Sequence, residues 1–253
     1  MPAPVTLPRL AWGDPSSSRR ALLVHGLGSN AALMWRYGDA LADDGWYAAA
    51  VDLRGHGTAP RALDYTIAAY ATDLAATAAA DGEPWDLVIG HSLGGAASTV
   101  AAAAHPAWTR KLILIDPGVH LNDHDRQVVR ESQEASFADP SQAAVRRDHP
   151  AWHEHDIELK ALSAQQASRW AVEQTSAQNE PWDVRADAAA LRMPTHVIGA
   201  DPAVFSIFTG RLAHEVIAAN PLITMSVVPH AGHSPHRDKP EATIAVLRAA
   251  LAG

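Results

Sequence analysis

The sequence predicts an α/β protein built on a mostly parallel sheet, and three observations lead there. Short apolar runs alternate with longer helical patterns along most of the chain. The runs are rich in Val, Ile and Leu without clean polar alternation, the mark of strands covered by helices on both faces. The helical stretches end at Gly or Pro, which stop a helix sterically.

Taken in order, a first strand is expected around Leu7 to Trp12, antiparallel at one edge, with "GDPSSS" as the following turn. Buried strands then follow at "ALLVHG" (21–26), "WYAAAVDL" (46–53), "DLVIG" (86–90), "KLILID" (111–116), "THVIGAD" (195–201) and "ITMSVVPH" (223–230). Between them lie the helical patterns "AALMWRYGDALADDG", "TIAAYATDLAATAAADG", "LGGAASTVAAAAHP" and "RLAHEVIAANP", and "EATIAVLRAALAG" closes the chain. Repeated strand–helix alternation requires right-handed crossovers. One segment breaks the rhythm. Residues 119–182 hold no strand pattern, only polar helical stretches that carry Trp152, Trp170 and Trp182. This division predicts a core of 1–118 with 183–253, and a helical cap over the carboxyl edge of the sheet, where open α/β folds bind ligands. Within the cap, Ser163 and Gln166 stand at capping-box spacing and predict a helix start.

At 253 residues, 47% apolar and 19% charged, the chain has the composition of a globular domain. Its net charge of -8 argues against nucleic acid or an anionic membrane as partner. The absence of cysteine excludes disulfides, thiolate metal sites and cysteine catalysis. The N-terminal stretch has no basic region followed by an apolar one, and no window approaches a membrane span, so a cytoplasmic location is expected. Composition leaves the oligomeric state open.

The chemistry is concentrated at "DLVIGHSLGGA". Gly90-His91-Ser92-Leu93-Gly94 fits G-x-S-x-G, with a strand before it and a helix after it. Glycines there let strand and helix approach closely while the serine takes a strained backbone. The hydroxyl then projects at a helix N-terminus, which favours developing negative charge. A serine nucleophile needs a base, and the base needs an orienting acid. His233 in "PHAGHSPH" is the base candidate, just past the last strand; His230 ends that strand and His236 starts the final helical region. The three histidines lack the helical HExxH arrangement of a metal site, so no metal is expected. Asp201, at the carboxyl end of its strand, is the preferred acid, and Asp116 in "LIDPG" is the alternative. Donors for an oxyanion are expected from the backbone amides of Leu93, directly after the serine, and of Leu27 in "HGLGSN". Trp152, Val119 and His120 of the cap segment, with Val204 after Asp201, are candidates for an apolar substrate wall. No Arg or Lys stands out in the motif loops as a carboxylate clamp, and Arg126, Arg130, Arg146, Arg147 and Arg169 are read as solvated.

"VHGLGSN", "VDLRGHG", "GHSLGG", "GADPAVF" and "AGHSPHRDKPE", in this order, resemble the α/β-hydrolase superfamily over almost the whole chain outside the cap. The resemblance implies a mostly parallel eight-stranded sheet with the cap inserted after strand 6. It implies a triad in the order Ser92, Asp201, His233, with Leu27 and Leu93 at the oxyanion hole. It also implies that Asp52, Arg54, Gly55, His56 and Gly57 order neighbouring loops without catalytic duty. In "GADP" the acid lies two residues after Gly199, where many members have three, and this keeps Asp116 in play. The expected activity is cofactor-free hydrolysis of a small or medium hydrophobic or aromatic carboxylic ester through an acyl-enzyme, rising with pH as the imidazole loses its proton. Lactone, C–C bond or thioester cleavage, or cofactor-free haloperoxidase chemistry, would use the same residues; a non-catalytic ligand receptor is the reading from another class. A serine at the elbow disfavours dehalogenase and epoxide hydrolase chemistry, which need Asp there.

Overall fold

A computed structural model describes residues 4–79 and 82–252. Seven strands form one sheet: β1 (Arg9–Trp12), β2 (Arg20–Val24), β3 (Tyr47–Val51), β4 (Leu87–His91), β5 (Leu112–Ile115), β6 (Thr195–Gly199) and β7 (Ile223–Val227). Their spatial order is β1-β3-β2-β4-β5-β6-β7, and every pairing is parallel except β1 with β3. The antiparallel first strand therefore stands at the edge, and the six buried runs each form a strand as expected from sequence.

The sheet has seven strands among the described residues, not eight, and the insertion follows β5, the fifth. The described residues of the N-terminal segment supply one strand ahead of β2. Ahead of β1, the Val5 amide donates to Asp73 Oδ1 instead of joining a ladder.

The two faces are separated by alternation within each strand. Leu22, Val24, Val51, Val88, Leu112 and Leu114 pack with helices α2 (Ile67–Ala75) and α3 (Leu93–Ala104) on one side. Ala21, Leu23, Ala48, Ala50, Ile89 and Ile113 meet α1 (Trp35–Asp43) and the last helix, α11 (Pro240–Ala252), on the other. With both faces buried, the inner strands β2 to β5 are apolar over most of their length and show no alternation in sequence, whereas the edge strands β1 and β7 are largely exposed or half-buried. Chain order reverses at the centre. From β2 the chain passes to α1 on one face, from β4 to α3 on the other, so the loops after these adjacent strands diverge and leave a crevice at their carboxyl ends.

Between β5 and β6 the chain forms α4 (Asp123–Ala138), α5 (Gln142–Asp148), α6 (Glu154–Gln166), α7 (Arg169–Gln178) and α8 (Arg185–Ala190). Asn122 caps α4 in a reciprocal box with Asp125. Ser163 caps nothing. It lies inside α6, where its hydroxyl has the carbonyls of Lys160 at 2.9 Å and Gly28 at 3.2 Å as acceptors. Ser168, whose side chain accepts from the Ala171 amide, starts the next helix. Backbone bonds from Leu121 N to Trp182 O and from Val184 N to Val119 O close the neck of the insertion. One anchor on the body is Asp156 of α6, wholly buried, which accepts from Trp35 Nε1 at 2.9 Å and from the Arg36 guanidinium at 3.0 and 2.7 Å. Helix α9 (Gly210–Ala219) joins β6 to β7, and the short α10 (Pro235–Asp238) precedes α11.

Candidate active site

Ser92 sits between β4 and α3 with φ +53° and ψ -116°. The glycines around it are demanded by distance. A Cβ on Gly94 would stand 2.5 Å from the carbonyl oxygens of Val24 and His25, and one on Gly90 would stand 2.6 Å from Gly94 O. Strand and helix cross too closely for any side chain there. The same proximity brings the loop after β2 alongside: a Cβ on Gly26 would be 3.1 Å from that of Ser92.

Ser92 Oγ is 2.9 Å from His233 Nε2, and His233 Nδ1 is 2.7 Å from Asp116 Oδ2. A carboxylate only accepts, so Nδ1 carries the imidazole proton and Nε2 presents its lone pair to the serine hydroxyl. Asp116 is 0% exposed, and it also accepts from Ser206 Oγ at 2.6 Å and from the Ile207 and Phe208 amides at 3.1 and 3.4 Å. These donors satisfy a carboxylate that would otherwise be costly to bury.

Asp201, the preferred acid from sequence, does not reach the imidazole. Its Oδ1 accepts from the Ala203 amide at 2.9 Å and its Oδ2 from the His230 amide at 2.8 Å. These two bonds hold its carboxyl below the usual range and tie the loop after β6 to the one after β7. The loop after β6 thus spends its aspartate on its own turn and delivers Ser206, Ile207 and Phe208 to Asp116. The short spacing after Gly199 was the signal in the sequence for this outcome.

Among the described residues, the non-glycine residues with positive φ are Ser92, Asp116 and His230, and all three lie at this carboxyl edge. Backbone strain collects where the side chains are positioned.

Two histidines steady the surrounding loops, and both were missed as functional support. His91 Nε2 donates to the His233 carbonyl at 2.8 Å, clamping the loop that carries His233 from behind. His25 donates from Nδ1 to Gly26 O at 2.7 Å and accepts at Nε2 from the Leu53 amide at 3.0 Å. Burial pushes His91 well below the usual imidazole range and lowers His25 as well, which keeps both neutral and fit for these bonds. Of the "VDLRGHG" residues, Asp52 accepts from the Ala31 and Thr58 amides, and Arg54 makes a buried bidentate pair with Asp73 at 2.7 Å.

A cavity of about 570 Å³ opens beside Ser92 and His233. Gly26 and Leu27 line one wall, Val204 and Phe205 another, and Val128 and Val129 of α4 with Trp152 cover it. Val119 and His120 do not line it. Val119 is buried in the core, and His120 pairs with Asp183 at the neck, because the chain turns into that neck before it reaches the cavity. The tryptophans divide their duties. Trp152 faces the cavity and donates to Asp238 Oδ1, Trp182 donates to Gly118 O, and Trp170 is exposed. Leu93 opens α3 directly behind Ser92. Among the described residues no group of three or more His, Asp or Glu is arranged to hold a metal ion, and no helix is long and apolar enough to cross a membrane.

A strand–serine–helix elbow, an imidazole on its hydroxyl and a doubly wound sheet define a hydrolase fold of the α/β class. The alpha/beta hydrolase family model matches residues 21–246, and the chain belongs to that family. Lipase LipV of Mycobacterium tuberculosis is 35% identical over 153 residues, 60% of this chain and 57% of that protein. A pimeloyl-[acyl-carrier protein] methyl ester esterase of Neisseria meningitidis is 36% identical over 100 residues, 40% of this chain and 37% of its own. Both matches thus span less than two thirds of the relative. Among solved structures, the N-formylmaleamic acid deformylase of Pseudomonas putida S16 aligns with a TM-score of 0.79 at 26% identity, covering 95% of this chain and 96% of that one. The esterase of Exiguobacterium antarcticum shares the fold, with a TM-score of 0.77 at 16% identity over 98% and 96% of the two chains.

Proposed function

We propose that this protein is a serine hydrolase that cleaves a carboxylic ester of a small molecule through an acyl-enzyme, with Ser92, His233 and Asp116 as nucleophile, base and acid. The continuous hydrogen-bond chain of 2.9 and 2.7 Å through the imidazole carries this reading. In it, Ser92 Oγ attacks the acyl carbon while His233 Nε2 takes the hydroxyl proton. The resulting imidazolium is stabilised at Nδ1 by Asp116. The tetrahedral oxygen is received by the amides of Leu27 and Leu93, each such donor being worth about 3 kcal/mol of barrier. His233 then protonates the leaving alcohol, the ester C–O bond breaks, and a water deprotonated by His233 releases the acid. No cofactor takes part in these steps.

Support for an ester comes from two relatives, one named a lipase and one a methyl ester esterase. An apolar substrate wall fits Leu27, Val128, Val129, Phe205 and the Trp152 ring. The test is a series of p-nitrophenyl esters of increasing acyl length, with Ser92→Ala as control and a fluorophosphonate probe for the nucleophile. Turnover that Ser92→Ala abolishes, together with probe labelling confined to Ser92, is expected. Labelling that persists in Ser92→Ala would refute the nucleophile.

A further inference from the structure

The cavity beside Ser92 carries a charge balance opposite to that of the chain. Lys160, Arg237 and Lys239 line it against Asp238 alone, although the protein as a whole has a net charge of -8. Arg237 of α10 is only 5% exposed. Its guanidinium lies over the Trp152 ring, 5.3 Å from the centroid. Five N–H donors have a single bond among the described residues, from Nη1 to Ser234 Oγ at 3.4 Å, and Nε has none. Among the described residues no carboxylate oxygen lies within ion-pair distance of it. The two nearby acids are already engaged. Asp156 holds Trp35 and Arg36, and Asp238 holds the Gly232 amide and the Trp152 indole.

Lys160 reaches the same cavity from α6. Its Nζ donates to Gly28 O at 3.3 Å and has no acidic partner among the described residues. Burial and the neighbouring Arg237 bring its amine down to about 8, so it is still mostly charged at neutral pH. Lys160 and Arg237 thus share one recess, lined by the single carboxylate of Asp238 and with no ion pair to either cation among the described residues, an excess of positive charge that an anion would complete. A guanidinium fork and an ammonium together suit a carboxylate.

We propose that Lys160 and Arg237 form a subsite for a carboxylate carried by the substrate, so that the preferred ester is a half-ester of a small dicarboxylic acid or an equivalent anionic ester. This builds on the reading of Ser92 as an ester-cleaving nucleophile. The charged group is seated at the two cations while the ester lies at Ser92, and a cavity of about 570 Å³ holds a molecule of that size.

The test compares p-nitrophenyl hydrogen glutarate with the neutral p-nitrophenyl valerate. For the wild type, kcat/KM is expected to favour the half-ester at least tenfold. Lys160→Met should lower that ratio about tenfold, chiefly through KM, and Arg237→Met should lower it as well. Lys160 is the partly exposed member of the pair, so its variant keeps the test valid if Arg237→Met does not fold. Calorimetric titration of Ser92→Ala with glutarate reads the subsite without turnover. Saturable binding, weakened about tenfold by adding Lys160→Met and stronger than that of inorganic phosphate, is expected. No preference for the half-ester in an active wild type overturns the subsite and leaves the hydrolase reading standing. Glutarate binding without turnover of either ester keeps the subsite and sinks the hydrolase reading, whereas failure of glutarate to bind overturns the subsite by itself.

Discussion

Asp116 Oδ2 and His233 Nδ1 lie 2.7 Å apart, and three further donors converge on the same carboxylate from residues 206–208. The aspartate therefore positions the imidazole and fixes the loop after β6 in one arrangement.

Asp116→Asn should then lower kcat by about 10⁴, because an amide can offer a donor where Nδ1–H needs an acceptor and so favours the wrong tautomer. Asp201→Asn should leave kcat within a few-fold, since both of its bonds are to backbone amides of surface loops. Steady-state kinetics on the two variants decide the matter; the reverse ranking would restore Asp201 as the acid.

Gly94 and Gly118 make a matched pair of substitutions. A Cβ at Gly94 meets two backbone carbonyls at 2.5 Å, which cannot rotate away, whereas at Gly118 the nearest atom is 3.5 Å distant. Gly94→Ala is expected to destabilise by roughly 1–3 kcal/mol or more, as overpacking does, and to displace Ser92. Gly118→Ala should change stability by less than about 0.5 kcal/mol. Urea unfolding of both measures the contrast, and equal midpoints would contradict it.

Asp156 joins α6 to α1 as a buried acceptor for Trp35 and Arg36. Asp156→Ala leaves Arg36 facing an apolar gap, and breaking such a buried pair costs about 3–5 kcal/mol. A loss of that size in denaturant unfolding is expected. A midpoint within error of the wild type would show that the helices of the insertion are held by something else.

Acid should unfold the protein through histidines that are buried neutral. Burial lowers His25, brings His56 to about 3, and puts His91 and His236 well below the ordinary imidazole value near 6.5. Below about pH 6.5 the unfolded chain binds protons at these sites that the folded chain refuses, so stability falls as pH drops from there toward the folded values. Each such group accounts for up to about 2 kcal/mol between pH 7 and pH 5. Unfolding free energies over this range should fall by several kcal/mol, and His56→Gln should flatten the slope. Stability that is level from pH 7 to pH 5 would contradict the buried neutral state.

What sequence alone determined here is whatever depends on neighbours along the chain. Strand periods, glycine at a close crossing and the elbow around Ser92 are local, so the fold class, the elbow serine and the neighbourhood of His233 were legible without coordinates. The missing eighth strand was harder to see, because family resemblance supplies a count while only pairing decides which segments join a ladder. Tertiary structure alone decided the contacts between distant segments. Asp116 and Asp201 end adjacent strands in equivalent sequence settings, and only the folding-back of residues 201–208 directs one to the imidazole and the other into its own turn. Lys160 and Arg237 are equally invisible as a pair, since they share a cavity only once α6 and α10 are both brought to its wall. Charge, burial and hydrogen-bond supply are properties of a location in space, and the linear order of residues does not contain them.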